Sequence, residues 1–161
     1  MTFKLEVLNQ KNAIEAVRIK AEPPELYQLH YNTHWIGHSY VHDDLSAVLI
    51  RDGEEAVGFV CYGQSYHDAY LLEKMDDSIA EIHHFLIKPG RQGQGFGRQT
   101  VLAIAREMHQ KNYKILRVAH HPEADKARAF YTNLGFKIIG KSYDDDPLLE
   151  LDLEAFLSRW S

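Results

Sequence analysis

Two short stretches hold residue types whose spacing could do chemistry. The first is Gln92-Gly93-Gln94-Gly95-Phe96-Gly97, which sits between a segment with strand alternation and one with helical periodicity. Glycines this close together allow tight backbone curvature, and the first-turn N–H groups of a helix, reinforced by its dipole, bind anions. A pyrophosphate is the expected guest. A P-loop would need Lys and then Ser or Thr after the last glycine, whereas Gly95 is followed by Phe96 and Gly97. A dinucleotide fingerprint would need Gly-x-Gly-x-x-Gly and an acid about twenty positions on, whereas the spacing here is Gly-x-Gly-x-Gly and the next strand ends in Ala119-His120-His121. The second stretch is Glu81-Ile82-His83-His84-Phe85-Leu86-Ile87. A strand period of two sends Glu81, His83 and Phe85 to one face, so a carboxylate and an imidazole become neighbours. Either can relay a proton through water, and the imidazole needs the smaller pKa adjustment near neutrality. The bland alternative is a solvated strand-end charge beside a packing histidine.

A third feature is the series His30, His34, His38 and His42. On a helix it would form a drifting stripe whose i, i+4 pairs can chelate zinc or nickel, although Gly37 and Ser39 weaken a continuous helix there. Tyr27, Tyr31, Trp35 and Tyr40 share the segment, a composition that suits packing or a substrate wall better than a metal, and no metal is expected.

These residues must be positioned by a chain of 161 residues, 45% hydrophobic and 25% charged, enough for one domain spanning residues 1–161 and too apolar for disorder. Strands are expected at residues 3–8, 46–50, 56–62, 79–87, 115–119, 136–139 and 148–153, with Asp52-Gly53 marking a hairpin turn between the second and third. Helices are expected at 9–20, from Pro24 through Leu29, at 95–112 with Val101, Leu102, Ile104, Ala105 and Met108 as its buried stripe, and at 125–134, ended by Gly135. Residues 64–78 read as a loop or short helix. The single cysteine, Cys61, excludes an internal disulfide, and the N-terminal segment has no apolar leader core; a soluble, cytoplasmic protein without membrane contact is expected. Net charge is −5, which argues against a nucleic-acid partner. The charge is unevenly spread: residues 43–81 carry ten acids against Arg51 and Lys74, while residues 88–117 carry seven bases against Glu107. Such a division suits two ligands of opposite charge.

With Gln92, Gly95 and Gly97 matching Arg/Gln-x-x-Gly-x-Gly/Ala, and Ala127-Arg128-Ala129-Phe130-Tyr131-Thr132-Asn133-Leu134-Gly135-Phe136 matching A-x-x-F-Y-x-x-x-G-F, the sequence resembles the GNAT superfamily of acetyl-CoA-dependent N-acetyltransferases. It looks nearest to members acting on small molecules, polyamines included. The resemblance implies a mixed α/β (α+β) fold, with a central, mostly antiparallel sheet of about seven strands flanked by about four helices. It implies acetyl-CoA as co-substrate, its pyrophosphate held by Gln92, Gly93, Gln94, Gly95, Phe96, Gly97 and Arg98, and its pantetheine arm bonded by the backbone of Phe85, Leu86 and Ile87. The family often places Asn seven residues before the motif tyrosine, where Ala124 stands here.

The matching tyrosine, Tyr131, is commonly assigned as the acid that protonates the leaving thiolate, a task a phenol with a reference pKa near 10 suits. Glu81 matches the place of a catalytic glutamate in members resembling histone acetyltransferases, and His83 the place of an acidic residue in polyamine acetyltransferases. Cys61 lies away from the motifs, so direct transfer in a ternary complex is expected rather than an acetyl-cysteine. The expected acceptor is a small primary amine, with Asp76-Asp77 and Asp144-Asp145-Asp146 drawing a cationic one such as a diamine or polyamine. Alternatives are an amino acid, an aminoglycoside, a protein N-terminus, or a non-catalytic acyl-CoA sensor. A homodimer is compatible with this reading.

Overall fold

Short β-branched and aromatic runs punctuated by Gly, Pro and Asp build the strands, and the computed structural model, which describes residues 1–67, 72–142 and 144–160, bears out their order. The chain runs β1 (Phe3–Val7), α1 (Ala13–Arg18), α2 (Pro24–Tyr27), α3 (Asn32–Val41), β2 (Leu45–Asp52), β3 (Glu55–Gln64), β4 (Ile79–Ile87), α4 (Phe96–Gln110), β5 (Ile115–Ala119), α5 (Asp125–Leu134), β6 (Lys137–Lys141), β7 (Pro147–Asp152) and α6 (Leu153–Trp160). The seven strands lie in the order β1-β2-β3-β4-β5-β7-β6. β1–β2, β5–β7 and β6–β7 pair antiparallel, and β4–β5 is parallel. The β4–β5 ladder runs from Ile79↔Ile115 to Ile82↔Val118, and β4 continues for five residues beyond it.

The chain divides into two compact units, Met1–Tyr62 with His83–Val101 and Gly63–Ile82 with Leu102–Ser161, so that β3, β4 and α4 each contribute to both. In the first, Ala16, Ile19, Ala21, Ala47, Leu49, Phe59 and Leu86 form a buried cluster against which Leu8, Tyr27, Ile36 and Ala56 pack. In the second, Ile104, Ala105, Met108, Leu116, Val118, Leu149, Leu151, Leu153 and Phe156 are buried. Val101, Ile104, Ala105 and Met108 are the buried stripe expected for α4, and Leu102 is half-buried at its margin.

Several boundaries differ from expectation for local reasons. The first helix is shorter than residues 9–20 because Asn9 and Asn12 bond each other's backbone: Asn9 N–H donates to Asn12 Oδ1 (2.7 Å) and Asn12 N–H to Asn9 Oδ1 (3.0 Å). α3 runs unbroken through Gly37 and Ser39, and the Ser39 hydroxyl bonds the carbonyl of Ile36 at 2.7 Å. Burial of Trp35 and packing of Ile36 outweigh the weak propensity there. The C-terminal helix α6 went unexpected, although Asp152, which accepts from Ala155 N–H (2.9 Å), and the spacing of Leu153, Phe156 and Trp160 are its signals. Gln64, expected in a loop or short helix, instead ends β3, and its Nε2 donates to the carbonyl of Asp76 (2.7 Å); in the segment that follows Tyr66 bridges Lys74, and residues 68–71 lie outside the described residues. Among the described residues no helix is long and apolar enough to cross a membrane.

Candidate active site

The glycine turn in the first unit joins the end of β4 to the start of α4. Gly90 (φ 86°), Gly93 (φ 72°) and Gly95 (φ 94°) are all left-handed, a conformation that disfavours any side chain. Two amides close the turn: Gln92 Nε2 donates to the carbonyl of Ile87 (3.0 Å), and Gln94 Nε2 to that of Gly90 (3.1 Å). Phe96 is buried, Gly97 half-buried and Arg98 exposed on the first turn of α4, where the backbone amides have no intrahelical carbonyl to meet. The charge here is more nearly balanced than the sequence suggests. Lys88 pairs with Glu55 (2.8 Å), and Arg91 pairs with both Asp52 and Glu55 while its guanidinium lies 5.2 Å from the centroid of the Phe96 ring. The Thr2 amide and Arg91 hold the Asp52 carboxyl below its usual range, and Lys88 and Arg91 do the same for Glu55. Lys88 and Arg91 are thus engaged by carboxylates of the hairpin. A separate cleft of about 500 Å³ in this unit is lined by Arg18, Lys20 and Lys88 with Glu15, Glu54 and Glu55, and holds none of the residues singled out from sequence.

Along β4 the burial alternates as the period of two requires: Glu81, His83, Phe85 and Ile87 are half-buried, and Ala80, Ile82, His84 and Leu86 buried. Glu81 Oε1 accepts from the hydroxyl of the fully buried Ser65 at 2.7 Å, and its register neighbour is Arg117. Arg117 in turn donates to Glu150 Oε2 (2.5 Å). Ser65 carried no motif that would have revealed it.

His83 stacks on Trp35 at 4.8 Å between centroids and 27° between planes. Trp35 is almost wholly buried, and its Nε1 has no hydrogen-bond partner among the described residues. The histidine series forms a contiguous ring chain on and beside α3, with His30–His34 stacked at 4.7 Å and His34–His38 edge-on at 4.5 Å. Burial, and then the charges of His42, His83 and His30, push the His38 imidazole below its ordinary pKa. Among the described residues no three His, Cys, Asp or Glu side chains are grouped to hold a metal.

On the opposite face His84 Nε2 lies 2.7 Å from Asn32 Oδ1. Asn32 donates its Nδ2 to the carbonyls of Ala16 (2.7 Å) and Ile19 (2.8 Å) at the end of α1, so its oxygen must accept and His84 Nε2 must donate. Burial, with a smaller contribution from His30 and His34, pushes the His84 imidazole down to about 3.

In the second unit α5 carries Tyr131, 6% exposed, its ring edge-on to Phe130 (5.1 Å) and Phe136 (5.3 Å). Burial pushes its phenol above the usual range. Gly135 (φ 111°) ends the helix, and the N–H of Phe136 returns to the carbonyl of Tyr131 (3.1 Å), which fixes the tyrosine at the last turn. Ala124 is fully buried at the N-cap and makes no side-chain cap. Cys61, in the first unit, is fully buried, and its thiol is pushed up by that burial.

A family model described as the Acetyltransferase (GNAT) family matches residues 11–136. The chain belongs to this family. GNAT enzymes transfer an acetyl group from acetyl-CoA, and this chain is an acetyl-CoA-dependent N-acetyltransferase in fold and family. Solved structures agree in fold. An acetyltransferase from Thermus thermophilus is 20% identical, with 94% of this chain and 97% of that chain covered and a TM-score of 0.72. Spermidine N-acetyltransferase from Vibrio cholerae, in complex with CoA and spermine, is 16% identical over 97% of this chain and 98% of that one, with a TM-score of 0.74. Aminoglycoside acetyltransferase AAC(6')-Ib, in complex with coenzyme A and kanamycin, is 13% identical over 99% and 100%, with a TM-score of 0.77. No curated protein matches the sequence significantly.

Proposed function

We propose that this GNAT enzyme transfers acetyl from acetyl-CoA directly to a primary amine of a small cationic acceptor, such as a diamine or polyamine, in a ternary complex. The observation that carries the reading is the left-handed glycine turn opening onto α4, beside cations already paired with Asp52 and Glu55. A pyrophosphate fits a cradle of backbone donors of this kind. Gln92, Gly93, Gln94, Gly95, Phe96, Gly97 and Arg98 form that cradle, and the backbone of Phe85, Leu86 and Ile87 bonds the pantetheine arm, on the part of β4 that extends past its ladder with β5. The family match draws on residues of both compact units, which supports reading the chain as one catalytic domain.

The acceptor arrives as an ammonium and loses a proton through water to Glu81 or His83. Its nitrogen then attacks the thioester carbon, the carbon–sulfur bond breaks, the departing thiolate takes the phenolic proton of Tyr131, and the second proton shed by the acylated nitrogen returns through water to the phenolate. The buried phenol, held above its usual range, stays protonated at neutral pH until that moment. Ser65 orients Glu81, and Trp35 supports the ring of His83. A relay through Cys61 would need an accessible thiolate, and burial opposes both access and ionisation. A cationic acceptor is favoured by Asp76, Asp77, Asp144, Asp145 and Asp146, and by the polyamino ligands, spermine and kanamycin, named with two of the similar structures.

The test combines a melt with a turnover assay. Acetyl-CoA should raise the melting temperature, because a ligand that binds only the folded state stabilises it. Free-thiol release should then appear with diamines and polyamines. No stabilisation at saturating acetyl-CoA would sink the cradle; turnover confined to anionic acceptors would sink the choice of amine.

A further inference from the structure

His120 follows the last residue of β5 and is 5% exposed. Its ring Nδ1 lies 2.8 Å from the carbonyl oxygen of His121. A carbonyl only accepts, so Nδ1 carries the hydrogen, and in the neutral ring Nε2 holds the lone pair. That Nε2 is buried with no hydrogen-bond partner among the described residues. An imidazole acceptor built into a fold without a donor is uncommon, since buried polar groups are paired almost everywhere.

The surroundings say what kind of donor fits. The His120 N–H donates to the carbonyl of Pro147 (3.3 Å), which places the ring's backbone beside Asp146. Asp146 is half-buried, and its carboxyl is raised by burial and by Asp144 while His121 and His120 pull it down. None of Asp144, Asp145 and Asp146 makes an ion pair among the described residues. Exposed Asp144 and left-handed Asp145 (φ 63°) form a turn held by Ser142 N–H to the carbonyl of Asp146 (2.7 Å) and Asp145 N–H to that of Ser142 (3.0 Å).

We propose that His120 and Asp146 form an ammonium subsite: one N–H of a primary ammonium donates to His120 Nε2, and the Asp146 carboxylate balances its charge. The acetylated nitrogen must give up its charge to attack, so a nitrogen held against a carboxylate is a second one that stays protonated. The subsite therefore selects acceptors with at least two amino groups. This rests on the amine-acetyltransferase reading above and narrows it.

The experiment compares 1,4-diaminobutane with n-butylamine, by calorimetric titration onto the acetyl-CoA-free protein and by kcat/KM. The native protein should bind the diamine more tightly than the monoamine. His120→Phe should weaken diamine binding about ten- to a hundredfold, the range for losing a hydrogen bond to a charged group. Monoamine binding should change little, His120→Gln, which retains an acceptor, should recover most of the loss, and Asp146→Asn should reproduce it. If His120→Phe does not fold, the Asp146→Asn and His120→Gln proteins carry the comparison. Equal affinity for diamine and monoamine in the native protein, or equal weakening of both by the variants, overturns the subsite. Because binding is read without turnover, diamine-selective binding with no acetylation of any amine would instead refute the enzymatic reading and leave the subsite standing.

Discussion

Lowering the pH from 7 to 5 should destabilise this protein, and His84 should account for a definable share of the loss. Its ring is 7% exposed, donates to Asn32 Oδ1 and lies edge-on to Phe59 at 5.8 Å. Burial lowers its pKa from 6.5 to about 3. A base with a depressed native pKa binds fewer protons folded than unfolded. Its contribution is therefore whole above pH 6.5 and is lost as pH falls from there toward 3. Within that window one proton costs about 1.4 kcal/mol per pH unit, and integration from pH 7 to 5 gives a loss of about 2 kcal/mol. For a chain of this length that corresponds to roughly 4–8 °C in melting temperature. The assay is urea unfolding at pH 7, 6 and 5 of the native protein and of His84→Gln, whose amide can still donate to Asn32 but does not titrate. The variant starts less stable through lost packing, yet its loss between pH 7 and 5 should be smaller by about 2 kcal/mol. Groups common to both proteins, the depressed His38 among them, cancel in the difference. Parallel pH profiles for the two proteins would refute the reasoning, because they would mean that His84 is charged or accessible in the native state.

Two further substitutions test the catalytic and packing arguments. Tyr131→Phe should lower kcat by about a hundredfold or more while leaving the dissociation constant for acetyl-CoA nearly unchanged, as expected for loss of a general acid. Comparable losses in both would make the tyrosine a binding or packing residue. Gly58→Ala should cost about 3 kcal/mol in unfolding free energy, because overpacking a closed site forces backbone to shift. Its new Cβ would lie 2.4 Å from the Leu86 carbonyl oxygen and 2.9 Å from Ile87 Cδ1. An unchanged denaturant midpoint would show that the two strands can part there without penalty.

The elements were largely legible because they depend on local chemistry. The alternation of residues 79–87 foretold which side chains of β4 share a face, and the Val101, Ile104, Ala105 and Met108 stripe foretold the inner face of α4. Gly135 ended α5 in the left-handed conformation expected of it. The four-residue histidine period was real as well: α3 carries His34 and His38, and His42 caps its end. Its meaning was less visible. What the period cannot show is that His83, far along the chain, joins the series by stacking on Trp35, or that Asn32 orients His84.

The glycine turn and the two family motifs were determined by the sequence alone, since left-handed backbone, helix capping and strand alternation arise from interactions between near neighbours. Tertiary structure decided where charge and burial fall. Lys88 and Arg91 read as free cations for a phosphate until the hairpin brings Asp52 and Glu55 against them. Glu81 acquires its hydrogen bond from Ser65, sixteen residues away, and the Tyr131 phenol is raised further above its usual range by the desolvation of a packed interior. Charge pairing and desolvation depend on distance through space and on exclusion of water, and neither quantity is written in the spacing of residues along a chain.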